Sequence, residues 1–314
     1  ALEEEAAQLK RKLDRLGPVN AAAIAELGEL EQRERFYVDQ EKDLVQSKAT
    51  LEDIIRRINR RSRQIFLETC ASCHAADGKG HSRSRLGFDV APPDFTDPDF
   101  ASREPHADWV GIALNGGPSR GFSEIMPSFR DALTMDEIAA AVGYVKSLGD
   151  DPLWPPGEFN LPKALNTGKA FPEDEVLWSL ALEPERPAAV NAKLVVARRV
   201  GARHQLEAVL PGGLRQVESE AGEGRVRRSW AEGAGDLAVA WKSVLWHHLP
   251  AGTIGSATLD VFLPTGDEAD GFSDGRFAFE PALAVGQVLP GIGFVQLKGG
   301  AELSTDTEVA PYGV

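Results

Sequence analysis

The sequence predicts a multidomain α + β protein in three zones: a helical, coiled-coil segment over residues 1–65, an all-α domain over 66–149 and, past a linker at 150–176, an antiparallel β domain over 177–314. Three observations predict it. Apolar residues recur every seven positions in the first zone, short helical stretches broken by glycine and proline fill the second, and two-residue alternation governs the third.

In the first zone Leu30, Tyr37, Leu44, Leu51, Ile58 and Ile65 lie seven apart, with Ile54 and Ile55 strengthening a second seam only near the end, as in a modest coiled coil. Gly17-Pro18 interrupts the pattern, because proline has no amide donor and drives the residue before it out of helical geometry. A short helix, a break and a long helix follow. The second zone ends in a helix over Leu133–Leu148, whose opening Thr134-Met135-Asp136-Glu137 reads as a capping box. Asp150-Asp151-Pro152 and Trp154-Pro155-Pro156-Gly157 read as a linker. In the third zone His204/Leu206/Ala208/Leu210, Leu237/Val239/Trp241, Ala257/Leu259/Val261/Leu263 and Val295/Leu297 alternate with polar or small residues, and Pro211-Gly212-Gly213 reads as a turn. About eight strands are expected there, in either a partial barrel or a β-sandwich.

Composition excludes several classes. With 42% hydrophobic and 26% charged residues in 314, neither wholesale disorder nor a collagen-like chain is expected. Residues 1–66 hold 13 Lys/Arg and 13 Asp/Glu, so the formal −14 falls on the remaining 248 residues, where 21 basic face 35 acidic side chains. Such a surface repels phosphate backbones and favours basic protein partners, so no nucleic-acid binding is expected through the second or third zone. Only Cys70 and Cys73 are present, which excludes a disulfide scaffold. No apolar stretch approaches the ~20 residues of a membrane-spanning helix, and neither a leader peptide nor an initiating Met opens the chain, so a fragment, a processed product or an engineered piece is expected.

The chemistry concentrates at Cys70-Ala71-Ser72-Cys73-His74, which has the spacing of c-type haem attachment. Two thiols three positions apart can add to both vinyl groups of one porphyrin, and the adjacent His74 is then set beneath the ring as an iron ligand. The competing readings are a dithiol redox pair, which needs a thioredoxin-like βαβ setting, and a structural zinc pair, which needs two more paired Cys/His ligands. Neither setting is visible. The sixth iron ligand should come from a later loop. Met126, in the irregular Ile125-Met126-Pro127-Ser128-Phe129, is better placed than Met135, which falls in a first helical turn and reads as a packing residue; His81 and His106 are the other candidates. His/Met ligation raises the reduction potential and fills both axial positions, so iron held this way shuttles electrons and does little chemistry on substrates.

Phe66-Leu67-Glu68-Thr69-Cys70-Ala71-Ser72-Cys73-His74-Ala75-Ala76-Asp77-Gly78-Lys79-Gly80, then Ala91-Pro92-Pro93-Asp94-Phe95, Asn115-Gly116, Met126-Pro127-Ser128-Phe129 and Leu133…Tyr144-Val145…Leu148 resemble, in order, class I monohaem cytochromes c. The resemblance implies one covalent haem c, packing of Phe66 on Tyr144, and a carbonyl of Pro92 or Pro93 accepting from His74 to fix its tautomer. Trp109 and Arg120 are candidates for propionate contacts, with Trp109 alternatively a core residue. The resemblance also implies redox protein partners and an extracytoplasmic, periplasmic or outer-membrane location.

Leu16-Gly17-Pro18-Val19-Asn20-Ala21-Ala22-Ala23-Ile24, Arg35-Phe36, Gln40–Leu44, Lys48–Leu51 and Ile54–Ile58 resemble the head-proximal coiled coil of SMC ATPases. No phosphate-binding GxxxxGK[ST] accompanies them, so ATP hydrolysis is not implied. Those proteins act on cytoplasmic DNA, whereas haem c is attached outside the cytoplasm. The two resemblances point to different compartments, and a chimera joined around Arg63–Thr69 is expected, the alternative being a helical extension that shares the motif.

Ala197–Arg203, Gly235–Lys242, Leu263-Pro264-Thr265-Gly266-Asp267 and Phe279-Glu280-Pro281 resemble outer-membrane β-barrels grouped with transporters of a phenol-degradation family. Pro187, Pro211 and Pro250 fall near strand ends, no aromatic girdle is evident beyond Trp230, Trp241 and Trp246, and His247-His248 read as a solvated pair at a loop edge. The function expected from all three zones is single-electron transfer by a cytochrome attached to an outer-membrane β domain, as in porin-cytochrome fusions. The alternatives are a peroxidase-like haem enzyme with a displaceable sixth ligand, or an SMC fragment in chromosome organisation.

Overall fold

The computed structural model describes residues 2–17, 21–163, 168–185, 188–220, 226–291 and 293–305. The chain divides into two compact units, Ala1–Arg61 and Ser62–Val314. The first contains helix α1 (Leu2–Leu16) and most of α2 (Ala21–Thr69). The expected break falls between them, although Pro18 itself lies outside the described residues. Leu30, Tyr37, Leu44, Leu51 and Ile58 are each more than half exposed, so the heptad seam is open along the helix. The pairs Glu31–Arg35, Lys48–Glu52 and Asp53–Arg57 lie four residues apart along the helix, at 3.9, 3.9 and 3.1 Å. Each contributes only a few tenths of a kcal/mol.

In the second unit, Ile65 and Phe66 on the end of α2 are buried. Short helices follow: α3 (Ala71–His74), α4 (Arg83–Leu86), α5 (Pro98–Ala101), α6 (His106–Asn115) and α7 (Met135–Leu148). Thr134 caps α7 in the expected box, its hydroxyl accepting from Glu137 N while Glu137 accepts from Thr134 N. Phe66 meets Tyr144 of α7 with ring centroids 5.4 Å apart, the packing that the cytochrome resemblance implies. Around that pair Phe95, Val145, Phe100, Trp109 and Leu148 close a small core.

Among the described residues nine strands form one antiparallel sheet: β1 (Glu175–Glu183), β2 (Ala189–Val200), β3 (His204–Glu220), β4 (Val226–Ala234), β5 (Leu237–His248), β6 (Thr253–Leu263), β7 (Ala278–Leu289), β8 (Gly293–Gly300) and β9 (Leu303–Ser304). The order is β1-β2-β3-β5-β6-β7-β8, with β4 on β3 and β9 on β7, and the sheet curls into half a barrel. A β-sandwich needs two facing sheets, and the described residues form one. The turn expected at Pro211-Gly212-Gly213 is instead the middle of β3, where the strand changes partner: His204–Val209 pair with β5 and Gly212–Glu220 with β4. Glycine is required there because a Cβ on Gly213 would collide with the Val190 carbonyl of β2. Pro250 sits in a helical turn after β5, and Pro187 lies outside the described residues.

The two faces of this sheet differ in chemistry. Cross-strand neighbours share a face, and the rows Leu206–Trp241–Leu259 and Trp178–Leu194–Leu210 lie on one side. Trp178, Leu182, Leu283 and Leu297 on that side are between 59% and 69% exposed. On the other side Gln205 pairs across with Lys242, Lys242 with Thr258 and Val244 with Ser256, and Gln205 and Ser256 are buried. The bare face is apolar along these rows, with Arg198 beside Leu206 near its end, and the covered face mixes these polar groups with Val244, Ile254 and Ala284.

The cover is the segment expected to be a linker. Phe159 and Phe171, each 1% exposed, and Ala170 pack with Val244, Ile254 and Ala284 of β5, β6 and β7 into a second core. Proline and glycine spell a connector here, but the two phenylalanines have no periodicity that would reveal burial. Truncating Phe171 to Ala should therefore lower the unfolding free energy of the second unit by about 3 kcal/mol. Urea titration followed by tryptophan emission measures it, and a change under about 0.5 kcal/mol would mean that the segment is a free tether.

Candidate haem site

The loop after Phe66 is built by short-range geometry. Cys70 precedes the single turn α3, with Cys73 N and His74 N both donating to Cys70 O at 3.2 and 3.0 Å. This places both thiols at the ends of one turn; both are free and half-buried. Burial, aided by the neighbouring Cys73, pushes the Cys70 thiol up to about 11. A reactive dithiol redox pair depends on a depressed thiol pKa, so Cys70 has the opposite character. Among the described residues no group of three or more His, Cys, Asp or Glu side chains could hold a metal ion, which removes the partners a structural zinc would need.

His74 follows directly. Burial pushes its imidazole down to about 4, so it is neutral at physiological pH, the form that ligates metal. Its ring stacks on Phe95 with centroids 4.6 Å apart and planes 22° off parallel. Phe95 in turn contacts Phe100 and Trp109, at 6.2 and 5.7 Å between centroids. Glycines close the loop: Gly80 N donates to His74 O at 2.9 Å, and Phe95 N donates to Gly78 O at 2.8 Å. Gly80 has φ +76°, and a Cβ there would lie 2.8 Å from Pro92 O. The bond implied from Pro92 or Pro93 to His74 is not made, because His74 Nδ1 is buried without a hydrogen-bond partner. Pro93 itself is half-buried.

Met126 is half-buried in an irregular turn beyond α6. Gly117 N donates to Met126 O at 3.0 Å and Phe129 N to Ala113 O at 3.1 Å, while Ser128 Oγ donates to Leu114 O at 2.6 Å. These bonds hold the Met126 backbone against the end of α6. Met135 is 54% exposed and so is not the packing residue expected. His81 is half-buried, its N–H bonded to Cys73 O at 3.0 Å. His106 caps its own helix onto Glu158, His106 N to Glu158 Oε1 at 3.1 Å, and burial, then Lys146, lowers its pKa. Trp109 belongs to the aromatic cluster beside His74, and Arg120 pairs with Asp108. His248 is exposed, but His247 is half-buried, with Nε2 enclosed and unpartnered, so the solvated-pair reading holds for one of the two.

These residues fit a covalent c-type haem: two free thiols on one turn, that of Cys70 held protonated by burial, a neutral imidazole against an aromatic wall, and an orphaned ring nitrogen. The helical part of the second unit is thus a c-type cytochrome domain. Residues 48–145 match the family described as cytochrome C oxidase, cbb3-type, subunit III, a match that begins upstream of the boundary expected at 66. The cofactor that goes with such a domain is covalently bound haem c with its iron, and its chemistry is haem-based electron transfer.

The amino-terminal region is similar to chromosome partition proteins Smc: 43% identical over 68 residues to that of Methylococcus capsulatus, 40% over 68 to that of Bordetella petrii and 43% over 68 to that of Thauera aminoaromatica. Each match covers 22% of this chain and 6% of the relative, so the chain spans only a small part of the curated proteins it resembles. The cytoplasmic character expected of the segment finds no support in a match of that span. No solved structure matches.

Two functional features escaped the sequence. Phe95 was legible only as part of a motif, with no sign of its stacking role. Arg199, 7% exposed, carries a charge at an inward strand position of Ala197-Arg198-Arg199-Val200, and that break in alternation was the available signal.

Glu158 joins the cytochrome helices to the covering segment. Burial pushes its carboxyl up, but Lys146 Nζ at 2.8 Å and the His106 N–H outweigh that and hold it below the ordinary carboxylate range. Its contribution is full above the unfolded pKa of about 4.3 and is lost as pH falls through the lower folded value. Glu158→Gln should cost roughly 1 kcal/mol at neutral pH, given partial exposure, and nothing at about pH 2. Urea midpoints of both forms across that range read it; a cost independent of pH would contradict the assignment.

Proposed function

We propose that this chain is a monohaem electron carrier joined to an outer-membrane-type β domain, with Cys70 and Cys73 bound to the porphyrin, His74 and Met126 on the iron, and Pro93 and Trp109 lining the pocket. One Cys-x-x-Cys-His motif supports one haem. The loop at Met126, held by three hydrogen bonds to α6 and the residues after it, supports a fixed sixth ligand. Fixed ligands on both faces favour electron transfer over substrate chemistry, so the reading is of a carrier rather than an enzyme. The electron leaves to a redox protein, and a basic partner suits the acidic balance beyond residue 66.

The observation that carries the membrane assignment is the inverted sheet. Soluble antiparallel sheets bury the apolar face and solvate the polar one. Here Trp178, Leu182, Leu283 and Leu297 are exposed while Gln205, Ser256 and Arg199 on the opposite face are buried. An outward apolar band over a polar interior is the pattern of an outer-membrane barrel, and the lipid chains would cover what water cannot favourably solvate. The half-barrel leaves β1 and β8 as edges, which must pair in hydrocarbon. Unit Ala1–Arg61 is read as a separate coiled-coil module whose open seam suits a helical partner, whether it arose by natural fusion or as a chimera.

The test is expression behind an export signal in a host that matures haem c. A pyridine-haemochrome assay should return one haem per chain, retained under denaturation and lost in the Cys70→Ala/Cys73→Ala double variant. Met126→Ala should abolish the thioether–iron absorption band and lower the reduction potential. A high-spin spectrum in the unaltered protein would support a displaceable sixth position and so sink the carrier reading.

A further inference from the structure

The haem-bearing helices are not tethered loosely to the sheet; they are pinned to one end of it. Arg199, near the close of β2, donates from Nη2 to Ser102 Oγ at 3.1 Å, and its Nε lies 3.7 Å from Asp99 Oδ1 on α5. The backbone of the same residue donates to Asp174 Oδ1 at 2.8 Å, and Asp174 pairs with Arg103 at 3.1 Å. Its guanidinium also lies over the Trp154 ring, 4.8 Å from the centroid. One turn further, Arg203 Nε donates to Leu153 O at 3.3 Å. The Arg199 side chain is 2% exposed, so this cation is enclosed between Asp99 and Ser102 of the haem-bearing part on one side and the Trp154 ring of the covering segment on the other, with Asp174 adding electrostatic attraction. A buried charge left without its partner is strongly destabilising.

The two ends of the sheet are also unequal. At the end holding Arg199 the strand connections are short: 201–203, 249–252 and 290–292, the last of which includes a residue outside the described ones. At the far end lie the connection 184–188, the β3–β4 ribbon that extends beyond the rest of the sheet, and the long loop 264–277. Outer-membrane barrels place short turns on the periplasmic side and long loops outside the cell.

We infer that Arg199 fastens the haem domain to the short-turn end of the sheet, so that the haem is presented to the periplasm and takes its electron there. This rests on the outer-membrane reading above. The haem then stays on the periplasmic side while the loop 264–277 faces outward, and Arg199 acts as a positioning residue with no contact to the iron.

The full-length chain, exported and matured in a Gram-negative host, carries one epitope inserted within 264–277 and, in a second version, one within 83–90. On intact cells the loop epitope should bind antibody, whereas the haem-domain epitope should react at least tenfold more strongly after the outer membrane is permeabilised. A haem-domain epitope fully reactive on intact cells, in a chain that fractionates with the outer membrane, overturns the orientation and leaves the membrane reading standing. A chain recovered as a soluble periplasmic protein overturns both. For the fastening itself, Arg199→Met and, as an independent partner-side change, Asp99→Asn should release a haem-bearing fragment to added protease at least tenfold faster, with unchanged haem spectrum and fractionation. Release at the original rate in both variants overturns the role of Arg199.

Discussion

A β-sheet has two faces, and everything in this molecule's second unit follows from which of them is covered. Lys242, Gln205, Ser256 and Arg199 stand on the covered side, beneath a segment that contributes Phe159 and Phe171. Lys242 Nζ donates to Phe171 O at 3.2 Å and to Gln205 Oε1 at 3.3 Å. Burial lowers its pKa while Glu173 and Glu207 raise it, the balance of a cation enclosed among acidic neighbours. Buried polar groups are costly unless partnered, and the covering segment partners two of these, through Phe171 O on Lys242 and Glu173 N on Gln205 Oε1, while α5 holds Arg199 and Ser256 Oγ is left without a hydrogen bond. The opposite side is left with tryptophan and leucine, which water solvates poorly.

The same segment links this sheet to the electron-transfer chemistry. It leaves α7, pairs Glu158 with Lys146, and runs to Asp174 before β1 begins. The haem loop therefore does not hang from a flexible tether. Its own chemistry is local: one turn sets Cys70, Cys73 and His74 together, desolvation keeps the Cys70 thiol protonated and the imidazole neutral, and the Phe95–Phe100–Trp109 cluster walls one side. Low polarity around a haem iron suits moving an electron without exposing the metal to substrates.

Much of this was legible in the sequence because the relevant signals are local. The Cys70–His74 spacing, the Thr134–Glu137 capping box and the alternation of Leu206, Trp241 and Leu259 each express a short-range rule. The heptad of Leu30 to Ile58 is equally plain, and α2 runs from Ala21 to Thr69 as one helix. What the sequence hid depends on distant neighbours. Pro211-Gly212-Gly213 has the composition of a turn, yet close approach to Val190 makes it a strand centre. Phe159 and Phe171 sit among prolines with no period to betray their burial. Arg199 and Asp99 are far apart in the chain, so nothing short of the fold brings the charges together.

The central claim, that the bare face of the sheet meets lipid, is open to one direct measurement. The matured protein is reconstituted in bilayers whose acyl chains carry bromine, and its emission is compared with that of a Trp178→Phe/Trp241→Phe variant. The account predicts that the bromine-quenched part of the emission is carried by Trp178 and Trp241 and disappears in the variant. Emission from those two residues that bromine leaves untouched, in a protein that remains monodisperse without lipid or detergent, would contradict it.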